Sequence, residues 1–216
     1  MSPIQAPHGP MTILFIDLID SSSLWLNDTE VMIQYRRYFY KLIRKQILKH
    51  QGYEVRPIGD GFLIVFAHAT NAIKFSLAVQ TKLPAKRTKA GLGSLEFEDK
   101  GKARIGIHFG TPADSEPDGI TQRWDYWGAD VNVAQRIENK AGAGCIAVSA
   151  EFLDELLRIT NVADDELVRL SKTPNIQEGI LERAVPRCLL DVRSADGREE
   201  LRGCGEWQIT SISLKR

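Results

Sequence analysis

Glu54-Val55-Arg56-Pro57-Ile58-Gly59-Asp60-Gly61-Phe62-Leu63-Ile64-Val65-Phe66 is an extended segment, a glycine-flanked aspartate and a run of apolar and β-branched residues. Gly-Asp-Gly between two such segments predicts a tight hairpin, because glycine takes positive φ at no steric cost. Asp60 then stands at the tip of a buried ribbon, where it either bonds the turn's own backbone or serves a ligand. A second carboxylate, Asp17, lies upstream in Thr12-Ile13-Leu14-Phe15-Ile16-Asp17-Leu18-Ile19. That run is apolar at both alternating sets of positions, which predicts a central strand covered on both faces. An aspartate there costs several kcal/mol unless it is paired or coordinates a cation.

The 216 residues are 43% hydrophobic and 26% charged, an ordinary composition for one well-formed core. Lys+Arg and Asp+Glu are both 28, so no global charge draws the chain to nucleic acid or a membrane surface. Cys145, Cys188 and Cys204 show no CxxC spacing and read as reduced thiols of a cytoplasmic protein. No apolar run approaches the ~18 residues of a membrane span. Residues 1–10 read as an N-terminal tail and not a signal peptide, and residues 11–216 as a single domain.

In chain order, Asp20-Ser21-Ser22-Ser23 reads as a polar loop, and Asn27-Asp28-Thr29-Glu30 as the cap of a helix. That helix carries Val31, Tyr35, Tyr38, Phe39 and Leu42 inward, stops at Gly52 as its C′ glycine, and turns a basic face to solvent (Arg36, Arg37, Lys41, Arg44, Lys45, Lys49). After the hairpin, Thr70-Asn71 cap a helix from Ala72 to about Lys82, and Pro84 to Lys102 reads as a loop. Arg104–Gly110 is a strand, Thr111–Arg123 a polar excursion and Val131 to about Lys140 a helix. Cys145–Val148 is a strand, and Ser149 caps a helix from Ala150 to Arg158. Asn161 to Glu200 is weakly patterned, and Trp207 to Leu214 is a final strand. The alternation predicts an α+β, ferredoxin-like fold, a mostly antiparallel sheet with a central hairpin and its helices packed on one face.

Two carboxylates brought together repel, and a divalent cation resolves the conflict. Asn132 and Arg136 are four apart on one helix and point the same way. That helix follows Trp124-Asp125-Tyr126-Trp127-Gly128, an aromatic stretch holding one carboxylate. An amide and a guanidinium near such a carboxylate suit a nucleotide.

At these residues the sequence resembles the class III nucleotide cyclase catalytic domain. The likeness runs through Phe15-Ile16-Asp17, Arg56-x-x-Gly59-Asp60-Gly61-Phe62, Arg104-Ile105-Gly106-Ile107-His108-x-Gly110 and Asp125-x-Trp127-Gly128-x-x-Val131-Asn132-x-Ala134-x-Arg136, with a weaker echo in Arg202-Gly203-x-Gly205. It implies a head-to-tail homodimer with shared sites and a nucleoside triphosphate substrate. Asp17, Asp60 and the Leu18 carbonyl of one subunit would hold two divalent metal ions, Mg²⁺ or Mn²⁺. The other subunit would bring Arg56 and Asp125 to the base, Asn132 to the ribose, and Arg136 and Arg202 to the phosphates. The chain departs from the family pattern at Arg56, where adenine-selective members carry lysine, at Tyr53, where many carry a small residue, and at Thr111, often a phosphate-binding arginine. A bulkier base site is similar to that of the short stand-alone Pycsar-type bacterial pyrimidine cyclases. It implies UTP, or CTP, as substrate, with the product read by a separate effector in anti-phage defence. An adenylate cyclase, or an inactive cyclase-like regulatory domain, are the alternatives.

Overall fold

The computed structural model describes residues 4–92, 99–159, 190–194, 199–201 and 204–214. Strand β1 (Met11–Leu18) leads through a short helix α1 (Ser21–Asn27) to α2 (Thr29–Lys49), then to the hairpin β2 (Tyr53–Ile58) and β3 (Gly61–Phe66) and to α3 (Ala69–Lys89). Next come β4 (Ala103–Gly110), the small hairpin β5 (Asp114–Pro117) and β6 (Trp124–Trp127), α4 (Ala129–Lys140), β7 (Cys145–Ser149) and α5 (Ala150–Ile159). The described residues close with β8 (Leu190–Ser194), β9 (Glu199–Leu201), β10 (Gly205–Trp207) and β11 (Ile209–Leu214). Among them the main sheet runs β2-β3-β1-β4-β7-β11-β8, antiparallel at every junction except the parallel β4–β7 pair. The fold is the mostly antiparallel α+β sheet expected.

β1 is buried along its length apart from the half-buried Asp17, as a run apolar on both faces requires. Leu14, Ile16 and Leu18 enter the core beneath α2, α3 and α5, while Met11, Ile13 and Phe15 enter a second core with Tyr53, Val55, Leu63, Val65, Tyr126, Val131 and Ala134. The helices therefore do not all lie on one face, as the sequence suggested: α4 packs on the other. Two glycines permit this. A Cβ on Gly106 would lie 2.2 Å from the Glu138 backbone nitrogen, and one on Gly110 would lie 2.3 Å from Asp130 Oδ2. Four strand residues span ~13 Å and eight helical residues ~12 Å, so α4 lies along β4 and meets it at both glycines.

Several local expectations are corrected. Residues 21–27 form a helix and not a loop, because Leu24 is buried there. Neither Asp28 nor Thr70-Asn71 makes a side-chain cap, and α3 begins at Ala69. It also continues through Pro84 to Lys89, so the first part of the expected loop is helix. Burial of Leu83, Ala90 and Leu92 outweighs the missing proline N–H. At the end of α2 the left-handed residue is Gln51 (φ 56°), and Gly52 donates its N–H to the Ile47 carbonyl at 2.9 Å. Gly52 has a different reason to be glycine: a Cβ would stand 2.6 Å from the Phe66 ring. Part of the polar excursion is ordered as β5, and the last strand starts at Ile209, Trp207 belonging to β10. Ser149 caps α5 as expected, its Oγ accepting the Phe152 N–H at 3.2 Å. Residues 161–189, Cys188 among them, lie outside the described residues; Cys145 is a free thiol.

Ser149 Oγ also meets His108 Nδ1 at 2.9 Å, and the His108 ring faces Asp130 and Glu151. Burial holds the imidazole below its usual range, against the pull of both carboxylates. The folded chain therefore keeps His108 neutral where the unfolded chain protonates it, so this residue's contribution to stability falls as pH drops below about 6.5. Urea titrations at pH 7 and pH 5 should show a steeper loss in the wild type than in His108→Gln; equal slopes would refute the assignment. The glycine contacts give a second expectation. Gly106→Ala forces backbone against backbone and should lose about 1–3 kcal/mol or more. Gly59→Ala has open space and pays only for its φ of 56°, about 1 kcal/mol, and comparison of the two urea midpoints tests the ranking.

Candidate active site

The hairpin turn is Gly59-Asp60, with the positive φ on Gly59, the glycine-first form of a two-residue loop. β3 pairs with β1 so that Ile16 faces Phe62, which brings Asp17 beside Gly61 and the turn. The strands touch closely there: a Cβ on Gly61 would lie 2.2 Å from the Ile16 carbonyl oxygen and 3.2 Å from Asp17 Cα. The two aspartates singled out in the sequence thus stand on adjoining backbone segments, and Leu18 closes β1 next to them.

Each carboxylate is held by groups that the sequence reading gave no role. The Trp25 indole N–H donates to Asp60 Oδ2 at 2.8 Å, and Arg36 Nε lies 3.9 Å from Oδ1. Arg36 stacks over Tyr40, whose hydroxyl donates to the Gly59 carbonyl at 2.9 Å; Arg44 stacks on the same ring and chelates Glu54. Arg36 and Arg44 stay exposed on the basic face expected of α2 and brace the hairpin as well. Across the sheet, Arg104 Nη2 donates to Asp17 Oδ2 at 3.0 Å, and Arg104 Nε contacts Glu138 of α4. Burial pushes the Glu138 carboxyl up to about 7, opposed by Arg104 and reinforced by Asp17. The spacing of Asp17 and Arg104, directly paired across β1 and β4, is the signal that could have found this contact.

Adjacent carboxylates with a nearby main-chain carbonyl fit a hard divalent cation, which shares its remaining positions with water and phosphate oxygens. Among the described residues no group of three or more His, Cys, Asp and Glu side chains forms a metal set. Any ion at Asp17 and Asp60 therefore draws on oxygens other than carboxylates.

The expected base-reading residues also meet. Arg56 and Asp125 form an ion pair. A β-bulge between Glu54 and Arg56 makes it possible: Tyr53 pairs with Val65 and Arg56 with Leu63, so two residues three apart share a face. The β5–β6 hairpin docks on β2 through Arg123 Nε to the Glu54 carbonyl at 2.8 Å and the Trp124 N–H to the Tyr53 hydroxyl at 2.9 Å. Tyr53 is only 8% exposed and belongs to the second core. Its ring fills the protein interior and does not narrow a base site, which removes half of the argument from bulk. Thr111 lies just after β4, its N–H bonded to Asp130 Oδ2 at 2.7 Å. Asn132 and Arg136 sit together on the exposed side of α4, their side chains without a hydrogen bond or ion pair among the described residues. Arg202 lies outside the described residues.

No helix of the described residues is long and apolar enough to cross a membrane. The family model for the adenylate and guanylate cyclase catalytic domain matches residues 4–172. The chain is 37% identical over 168 residues to an adenylate cyclase of Podospora anserina, covering 72% of this chain and 8% of that protein. It is 31% identical over 187 residues to an adenylate cyclase of Schizosaccharomyces pombe, covering 81% of this chain and 11% of that protein. The chain thus spans about a tenth of the length of these curated relatives. Solved structures with the same fold include a Trypanosoma brucei adenylate cyclase in its monomeric state (TM-score 0.67, 21% identity, 99% of this chain and 97% of that one). Another is the adenylyl cyclase CyaB from P. aeruginosa (TM-score 0.69, 20% identity, 96% and 95%). The pyrimidine preference finds no support in these relatives, whereas the alternative, an adenylate cyclase, does. With the paired carboxylates, the Arg56–Asp125 edge and the family match in agreement, the chain belongs to the adenylate and guanylate cyclase catalytic domain family.

Proposed function

We propose that the chain cyclises a nucleoside triphosphate: the 3′-oxygen attacks the α-phosphorus, a 3′,5′-cyclic monophosphate forms and pyrophosphate leaves. The juxtaposition of Asp17 with Asp60 across β1 and the hairpin turn carries this reading. Asp17, Asp60 and the Leu18 carbonyl would hold two divalent ions, Mg²⁺ or Mn²⁺, which supply charge neutralisation at the reacting oxygens. Asn132 orients the ribose, and Arg136, with Arg202, takes the phosphates. Both α4 side chains face solvent and bond nothing among the described residues, so they can complete the carboxylate pair of a second copy. That arrangement is a head-to-tail homodimer with shared sites.

Arg56 donates and Asp125 accepts at the base edge. Adenine offers them N1 and the N6 amino group, and cytosine offers N3 and N4 in the same pattern; uracil offers a carbonyl and N3–H. With Tyr53 inside the core, hydrogen bonding leaves room for a purine, and the relatives' names favour ATP. The second reading is UTP, with CTP next. It is favoured by Arg56 itself, a longer, forked donor where adenine-selective members carry lysine, and with it go the separate effector and the anti-phage role.

An equimolar mixture of the four triphosphates with Mn²⁺ decides between them. Cyclic AMP as the chief product is the expected outcome. Chiefly cyclic UMP would select the second reading, and no cyclic product from any nucleotide would leave a cyclase-like regulatory domain.

The shared site has its own test. Asp60→Ala removes a metal ligand and should abolish turnover. Arg136→Ala should lower it on the order of 10²–10³-fold, as for one preorganised donor to developing charge. Mixing the two variants, with subunit exchange verified by sedimentation of tagged chains, should restore activity in the heterodimers. Persistent inactivity would count against the head-to-tail assembly.

A further inference from the structure

Arg104 stands directly opposite Asp17 in the β1–β4 register. Its guanidinium donates through Nη2 to Asp17 Oδ2 at 3.0 Å. Nε of the same group contacts the Glu138 carboxylate, whose side chain is only 6% exposed. A guanidinium carries its donors in a rigid planar fork, so a carboxylate fixed against Nε sets the direction in which Nη2 points. Glu138 is itself fixed, because its backbone lies against Gly106, where a Cβ would be 2.4 Å from Glu138 Cα. The Arg104 side chain is therefore aimed at Asp17 by α4. Asp60 has a different environment, an indole N–H and the more exposed Arg36 at 3.9 Å, with no buried carboxylate behind them.

We propose that Arg104, braced by Glu138, is a built-in counter-cation of the metal half-site, positioning Asp17 and setting the affinity of that site for a divalent cation. The inference rests on the reading of Asp17 as a metal ligand. In the metal-free protein the guanidinium neutralises Asp17 and keeps it from swinging away. When a cation binds, two positive groups share one carboxylate, and Arg104 stays because Glu138 holds its Nε. Their repulsion weakens metal binding; the negative charge of Glu138 offsets part of it. The two neighbours in this contact thus act on the metal with opposite sign.

The test is titration of the 216-residue chain with Mn²⁺ alone at pH 8 and low salt, following the free ion by electron paramagnetic resonance. Arg104→Gln should bind Mn²⁺ about tenfold more tightly and Glu138→Gln about tenfold more weakly, while Arg104→Lys, which keeps the charge, stays within about twofold of the wild type. At saturating Mn²⁺, Arg104→Gln should nonetheless turn over more slowly than the wild type, because Asp17 has lost its guide. Shifts of the same sign in Arg104→Gln and Glu138→Gln, or lysine behaving as glutamine, would overturn the proposal. If Arg104→Gln does not fold, Glu138→Gln decides, and unchanged or tighter binding in that variant overturns it. A wild type that binds no Mn²⁺, or Asp17→Asn binding as well as the wild type, overturns the metal reading on which the inference stands. Loss of binding in Asp17→Asn together with same-sign shifts overturns the inference alone.

Discussion

A carboxylate at the end of a strand covered on both faces must find positive charge or donors close by, and much of this structure is arranged around that requirement. β1 is buried beneath α2, α3 and α5 on one side and beneath α4 on the other, yet it ends in Asp17. Strand pairing answers on one side with Arg104 and on the other with a turn that brings a second carboxylate, Asp60. That second charge increases the demand, and it is met from α1 and α2 by Trp25 and Arg36. The aromatic and arginine side chains of α2 are thus part of the site's electrostatics as well as its scaffold.

Close approach is the other half of the arrangement. Gly61 lets β3 crowd the end of β1, and Gly106 and Gly110 let α4 lie along β4. Each is a place where a single methyl group would separate two functional elements. Because Glu138 and Asp130 sit at the two contacts, the helix that presents Asn132 and Arg136 is registered to the sheet by backbone geometry. Charge then adds the Arg104–Glu138 contact at one end and the Asp130–Thr111 bond at the other.

Much of this was legible in the chain. An apolar run without alternation identified β1 as doubly covered, and Gly-Asp-Gly identified the turn; the β1–β3 pairing sets the end of the one beside the other. The Asn132 and Arg136 spacing gave their common face. What the sequence hid was decided by tertiary contact. Pro84 and the surrounding lysines read as a loop because local propensity says so, whereas burial of Leu83, Ala90 and Leu92 keeps the helix going. Tyr53 looked like a residue at the base because many members of the family carry a small residue there, and plain alternation would have set it on the face opposite Arg56. Only the pairing with β3 shows that the bulge turns Arg56 to the same face while the Tyr53 ring stays in the core. Trp25 and Arg36 gave no signal, since their partner is 35 and 24 residues away in the chain.

Residues 4–8, read as a tail, are fastened to β6. Ile4 and Ala6 pack against the second core, the Tyr126 hydroxyl donates to the Pro7 carbonyl at 2.8 Å, and the His8 ring meets the Trp124 ring edge-on at 4.5 Å. Trp124 and Tyr126 are the immediate neighbours of Asp125. The N-terminal arm therefore meets both the second core and the strand that carries Asp125. A pull or twist on the N-terminal arm is borne first by a four-residue strand paired only to β5 among the described residues. A force on the arm thus reaches Asp125 through Trp124 and Tyr126, the two residues that flank it.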